Sequence, residues 1–335
     1  MTTDRTEAVR RKPKSGPARA RTPRASAQTR EGGAHSGQPR SQLPSGLWAT
    51  LVDLVDAFQP TAFRRLGEEV DASIEHIPTE LNEYGYDRYG FHPDAFRRLS
   101  LPGALFYRHY FRVETHDIDR VPAGRVLLVC NHAGQLPFDA MMLATAMLLE
   151  AKPPRRVRPM AEYWVSRLPF VSTLAARMGS MVGTRENCLK MLEAGECVMV
   201  FPEGVRGLNK LYSQRYQLQR FGLGFLRLAL QTQTPIVPIS LIGSEEQQPG
   251  LANLESFGRL LGMPALPITP TFPLLGPLGL MPLPVKYRFY FGEPLLFEGD
   301  PSDEEAAIQR HADVVRESME AMFERGLRER EGVFR

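Results

Sequence analysis

Short apolar runs alternate with helical periodicities along most of this chain. Residues 125–130, 197–201 and 236–241 are runs rich in Val, Leu, Ile and Met, with a shorter one at 157–160 and a last one at 286–291. Runs of this length without polar alternation predict strands buried on both faces. Between them, residues 139–150, 163–178, 187–194 and 221–232 place apolar side chains at helical spacing. Strands and helices in alternation predict an α/β fold, a mostly parallel or mixed sheet flanked by helices.

The flanks read as helical. Trp48, Leu51, Val52, Val55 and Phe58 predict a short amphipathic helix, and residues 93–111 a second one that Pro102-Gly103 divides. After Pro301, Ser302 and Glu305 have the spacing of a capping box, and Ile308, Val315, Met319 and Met322 share one face of a C-terminal amphipathic helix. The expected division is a basic tail at 1–45, an N-terminal helical region at 46–114, an α/β domain at 115–300 and a helix at 301–335. Between Arg259 and Lys286 no residue is charged, a length that suggests a membrane span. Seven prolines there (Pro264, Pro267, Pro270, Pro273, Pro277, Pro282 and Pro284) exclude a regular helix, so the stretch predicts a loop over the core, an interfacial segment or the wall of an apolar groove.

Charge changes the picture only at the start. Residues 1–45 hold ten Lys/Arg against Asp4, Glu7 and Glu31, an excess of +7 that leaves about −4 for the rest of a chain of net charge +3. Such a tail lacks the apolar residues to offset its ordering entropy and predicts disorder. It would favour anionic lipid by about 1 kcal/mol per cation near the surface. It lacks the basic–aromatic interleaving of nucleic-acid binders, so no nucleic acid is expected. No secretory h-region opens the chain. Cys130, Cys188 and Cys197 are odd in number and widely spaced, fitting neither a zinc site nor a disulfide framework. A reducing compartment is expected.

The chemistry gathers where predicted strands end. The 125–130 run delivers Asn131 and His132 to a loop, and Asp139 opens the next helix. Asp139 is the only acidic residue between Asp119 and Glu150, so it is the local partner an imidazole base needs. The 197–201 run leads into Pro202, Glu203, Gly204, Val205 and Arg206, a carboxylate and a guanidinium at the sheet edge where open α/β sheets bind ligands. Arg206 offers a planar fork suited to phosphate, and Arg185 after Gly183-Thr184 supplies a second. Val237-Pro238 marks a strand at an edge or a bulge.

In this order the blocks resemble the glycerolipid acyltransferase family that includes the lysophosphatidate acyltransferases. Asn131, His132 and Asp139 match its histidine–aspartate block, and Gly179 and Arg185 loosely match its second. Phe201 to Arg206 match Phe-Pro-Glu-Gly-x-Arg closely, and Val237 and Pro238 match the fourth block. The resemblance covers about residues 115–295. In the common form four residues separate histidine from aspartate. Here six do, and Pro137 stands where that aspartate would fall. A longer interval containing proline resembles the mono- and diacylglycerol members, which opens the identity of the acceptor. Pro137 in the first helical turn would leave Asp139 free to fold back towards His132.

The resemblance implies transfer of a fatty acyl group from acyl-CoA or acyl carrier protein to a glycerolipid hydroxyl, foremost that of 1-acylglycerol-3-phosphate. His132 would be the general base and Asp139 its partner. Arg185, Glu203, Gly204 and Arg206 would bind the acceptor head. No metal, cofactor or covalent enzyme intermediate is needed. The partners expected are the lipid acceptor, the acyl donor and a membrane surface, with the protein peripheral at the cytoplasmic face. Two rivals stand beside this reading. A serine hydrolase lacks its Gly-x-Ser-x-Gly turn here. A non-catalytic lipid-binding protein would keep an apolar groove and tolerate loss of His132 and Asp139.

Overall fold

The computed structural model describes residues 59–134, 136–260, 262 and 264–335; the basic tail and the helix expected from Trp48 lie outside them. The chain opens with helices α1 (Pro60–Glu75) and α2 (Pro93–Leu105), followed by strands β1 (Glu114–His116) and β2 (Val126–Cys130). Helix α3 (Phe138–Leu149), β3 (Val157–Ala161), α4 (Val171–Arg177), β4 (Met181–Val182), α5 (Arg185–Glu193) and β5 (Cys197–Val200) come next. Then follow α6 (Val205–Leu208), α7 (Gly224–Thr232), β6 (Ile236–Ile242) and α8 (Ser244–Gln247). The hairpin strands β7 (Ala252–Leu254) and β8 (Leu266–Ile268) flank α9 (Glu255–Leu260), and β9 (Arg288–Phe291) and α10 (Glu305–Glu329) end the chain.

Among the described residues, seven strands form one sheet in the order β1-β9-β6-β2-β5-β3-β4. β4, β3, β5, β2 and β6 run parallel, β9 is antiparallel to β6, and β1 is parallel to β9. The sheet is mixed, and its five parallel strands end at one edge. Central β2 is buried at every position, as a strand covered on both faces must be. Its side chains alternate between two cores. Val126, Leu128 and Cys130 join Met142, Leu143 and Met147 of α3 on one face. Leu127 and Val129 meet Met191, Leu226 and Val315 of α5, α7 and α10 on the other. Each such Leu, Val or Met contributes about 1.5–3 kcal/mol when fully buried.

Three expectations change and a fourth narrows. Residues 93–111 are not divided at Pro102-Gly103: helix α2 runs through them, and the irregularity is a π turn at Phe106–Tyr110. Pro102 lies on the exposed side, where solvent can serve the one carbonyl left without a donor. The aromatic cluster beyond it packs inward, Phe111 stacking on Tyr287 at 4.4 Å. The capping box is also absent: Ser302 hydrogen-bonds Asp300 in a local turn, and α10 starts after Glu304 with no side-chain cap. Residues 163–178 split at Leu168-Pro169 into a 3-10 turn and α4. Finally, Pro238 is not on an edge strand, because β6 lies between β9 and β2. The bulge alternative holds, with the extra residue in the segment opposite Pro238: from Ile239 to Ile236 is three residues, whereas their partners Phe291 and Leu295 are four apart.

The uncharged stretch folds as β8, loops and a 3-10 turn at Gly276–Leu280. No helix of the described residues is long and apolar enough to cross a membrane.

Candidate active site

The end of β2 and the start of α3 converge on one pair. The Nδ1–H of His132 donates to Asp139 Oδ2 at 2.6 Å. The same oxygen accepts the Ala133 N–H at 3.1 Å, and Oδ1 accepts the Ala140 N–H at 2.7 Å. Asp139 is fully buried in the first turn of α3. Pro137 is the residue before the helix rather than within its first turn. It closes the loop, and Asp139 reaches back across six intervening residues. The imidazole stacks on Phe201, ring centres 4.2 Å apart and planes 22° from parallel. With Nδ1 committed to the carboxylate, Nε2 is the nitrogen left for a substrate proton.

The loop between the pair is held from β6 and α8. Asn131 is fully buried and exchanges two hydrogen bonds with the Leu241 backbone, at 2.7 and 3.2 Å. Gln247 Nε2 donates to the Gly134 carbonyl at 3.0 Å and to that of Leu136 at 3.4 Å, while its Oε1 accepts the Tyr287 hydroxyl. Gly134 is at φ +93°, and a Cβ there would lie 2.1 Å from Gln247 Nε2. Gly207 is equally constrained, because a Cβ would lie 2.8 Å from the His132 carbonyl oxygen.

Glu203 corrects an expectation. It does not face a ligand: Oε1 accepts the His132 backbone N–H at 3.0 Å, and Oε2 accepts the Gln219 N–H at 2.6 Å. Lys210 Nζ lies 3.3 Å from Oε2 and donates to Glu245 at 2.7 Å. Glu245 also accepts the Tyr216 N–H. Burial raises the Glu245 carboxyl, with Lys210 opposing it. Burial likewise raises the Cys130 thiol well above its usual range, and nearby Asp139 and Glu203 add to it. Such a thiol is a poor nucleophile. Lys210, Glu245, Gln247 and Gly207 were not singled out in the sequence. Gly207 and Lys210 adjoin the Phe201–Arg206 block, whereas Glu245 and Gln247 lie 39 and 41 residues beyond it and carried no signal of their own.

The remaining predicted residues do not gather beside His132. Gly204 adopts φ 55°, ψ −144°, a conformation glycine alone tolerates, and lets the chain turn from β5 into α6. Arg206 is exposed and donates to the Arg220 carbonyl at 3.0 Å. Arg185 opens α5 behind the Thr184 cap and donates to Gln231 of α7 at 2.9 Å. Among the described residues no group of three or more His, Cys, Asp or Glu could hold a metal ion.

A family model described as Acyltransferase matches residues 112–242, which include this whole arrangement from His132 to Arg206. An uncharacterized protein of Mycobacterium tuberculosis is 40% identical over 258 residues, spanning 75% of this chain and 72% of its own. The DGAT1/2-independent enzyme synthesizing storage lipids of Gallus gallus is 27% identical over 224 residues, 63% of this chain and 64% of that one. The crystal structure of the 1-acyl-sn-glycerophosphate acyltransferase PlsC of Thermotoga maritima aligns with a TM-score of 0.46 at 18% identity, covering 71% of this chain and 81% of that one.

Proposed function

The chain belongs to the acyltransferase family, and on that premise we propose that it moves a fatty acyl group from acyl-CoA or acyl carrier protein to a glycerolipid hydroxyl. The observation that carries this reading is the 2.6 Å bond from His132 Nδ1 to buried Asp139. Nε2 takes the hydroxyl proton as the oxygen attacks the thioester carbonyl. The tetrahedral intermediate then expels the thiolate, the C–S bond breaks, and the imidazolium returns the proton to sulfur. Asp139 fixes the tautomer and stabilises the imidazolium between these steps. A base so placed accelerates transfer by about 10²–10⁴.

The test is His132→Ala, purified and offered a panel of acceptors with both donor types under mass-spectrometric detection. Transfer by the wild type and its loss in a folded variant is the expected result. Near-normal turnover in the variant would overturn the assignment, and no transfer by either protein would leave a lipid-binding protein.

For the acceptor, the motif blocks favour 1-acylglycerol-3-phosphate. A neutral mono- or diacylglycerol is the second reading, favoured by the dispersal of the head-group residues: Glu203 is consumed by the His132 loop, and Arg185 is engaged by Gln231. Steady-state rates of the wild type with both acceptors distinguish them: a higher kcat/KM for the phosphorylated acceptor supports the first, and a higher one for the neutral acceptor supports the second.

The working place is the cytoplasmic face of a membrane, with the protein bound peripherally. The uncharged stretch supports this, for Leu260, Leu274 and Leu278 are 82%, 86% and 76% exposed. Co-sedimentation with vesicles containing anionic lipid tests it, and a protein left wholly in the supernatant would sink it.

A further inference from the structure

A cavity of about 370 Å³ opens between α6, the segment leading into α7 with its first turn, and the start of α10, lined by Arg206, Arg220, Arg227, Phe221 and Glu305 among others. Three guanidiniums against one carboxylate give it a positive balance. In each arginine the hydrogen bonds to the protein come from one terminal nitrogen among the described residues. Arg206 Nη2 donates to the Arg220 carbonyl, Arg220 Nη2 lies 3.2 Å from Glu305, and Arg227 Nη1 donates to the Pro301 and Asp303 carbonyls. A guanidinium has five donors in a rigid fork, so each keeps donors for a ligand.

This cavity is tied to the catalytic group through the backbone. Gly222 donates to the Pro202 carbonyl at 2.8 Å, and Gln219 donates to Glu203, the residue that holds the His132 N–H. One wall is therefore fixed by the carboxylate that fixes the base.

We propose that this cavity binds the phosphorylated nucleotide end of a coenzyme A thioester, with Arg206, Arg220 and Arg227 as its phosphate ligands and Glu305 as the counter-ion the phosphates displace. The identity of the ligand rests on the acyl-transfer reading. The volume exceeds what a lone phosphate needs and falls in the range of small-molecule sites, roughly 300–1,000 Å³. A diphosphate and a 3′-phosphate together offer three anionic groups, one for each guanidinium. The setting suits a water-soluble ligand, since the Arg220 and Glu305 side chains are 75% and 70% exposed. It also gives Arg220 and Arg227, outside every motif block, a function.

The experiment is calorimetric titration of the full chain with 3′,5′-ADP and with coenzyme A, and with sn-glycerol 3-phosphate as the control. Both nucleotides bind, and Arg220→Ala and Arg227→Ala each weaken them about two- to fivefold, as expected for partly exposed charge pairs. Glu305→Gln tightens them, because it removes the competing anion; loss of a purely structural ion pair would not do so. Arg220 and Glu305 are at the surface and Arg227 is half-buried, and unchanged thermal unfolding of each variant confirms that it is folded. Nucleotide binding indifferent to all three substitutions overturns the site. So does arginine-dependent binding of glycerol 3-phosphate without coenzyme A. Because no turnover is read, arginine-dependent binding in a protein that transfers no acyl group would defeat the enzymatic reading alone.

Discussion

Glu203 accepts the backbone N–H of His132 at 3.0 Å, so the two motif blocks form a single structural unit. The carboxylate acts on His132 through its main chain while Lys210 and Gln219 hold its other oxygen. Glu203→Gln keeps one acceptor, but one of its two positions now presents NH₂ to a backbone donor or to Lys210. The expected loss is about 1–3 kcal/mol of stability, the cost of a buried group left unsatisfied. In kinetics kcat falls while the KM for the acceptor stays within about twofold, because the residue positions the base and touches no ligand. Urea denaturation and steady-state rates check both; a raised acceptor KM with unchanged kcat would return Glu203 to the head group.

Asp139→Asn tests the tautomer. The amide can still accept from Ala133 or Ala140, yet it cannot stabilise an imidazolium, and it can present an N–H to Nδ1 that turns the ring proton to Nε2. Transfer should fall about 10²–10⁴-fold. Circular dichroism should stay that of the wild type. Retention of more than a tenth of the rate would remove Asp139 from the mechanism.

Gly134→Ala tests the clamp. The new methyl would meet Gln247 Nε2 at 2.1 Å and the Ser244 carbonyl oxygen at 2.7 Å, at a φ of +93° that alanine resists. Strain at such a residue costs about 1–3 kcal/mol. The hydrogen bond from Gln247 to Gly134 should be lost and activity with it. Gln247→Leu should reproduce the loss of activity without the backbone strain. A fully active Gly134→Ala protein would show that the loop repacks freely.

What the chain revealed by itself follows from the range of each interaction. β2, β5 and β6 were legible because burial on both faces writes continuous apolar runs. His132 and Asp139 were legible because their partnership is local. β1 was not: three half-buried residues carry neither run nor alternation. Glu203 and Arg206 are three residues apart, yet one turns inward to a backbone and the other outward to a cavity. That direction is set by Gly204 and by partners such as Lys210 and Gln219, which sequence spacing does not encode. Gln247 is 113 residues from Gly134, and only the parallel crossover from β2 to β6 brings them together.

Asp87 makes the last prediction, on stability against pH. It is buried, it pairs with the fully buried Arg158 of β3, and it accepts the N–H groups of Tyr89 and Phe91 at 2.8 and 2.9 Å. Burial is the largest single influence and pushes its carboxyl up. The Arg158 hydrogen bond and charge and the two backbone donors together outweigh it, holding the group below its ordinary 3.8. A depressed carboxyl binds fewer protons folded than unfolded, so its stabilisation is complete above the ordinary value and disappears as pH falls through the folded one. Asp87→Asn removes that titration and leaves Arg158 with Glu196 alone. The wild type should therefore exceed the variant in unfolding free energy by the most near pH 6, and the gap should narrow steadily below about pH 4. Urea unfolding of both proteins across that range measures it. A gap constant with pH would mean that the Asp87–Arg158 pair holds residues 87–91 to the sheet through shape rather than charge.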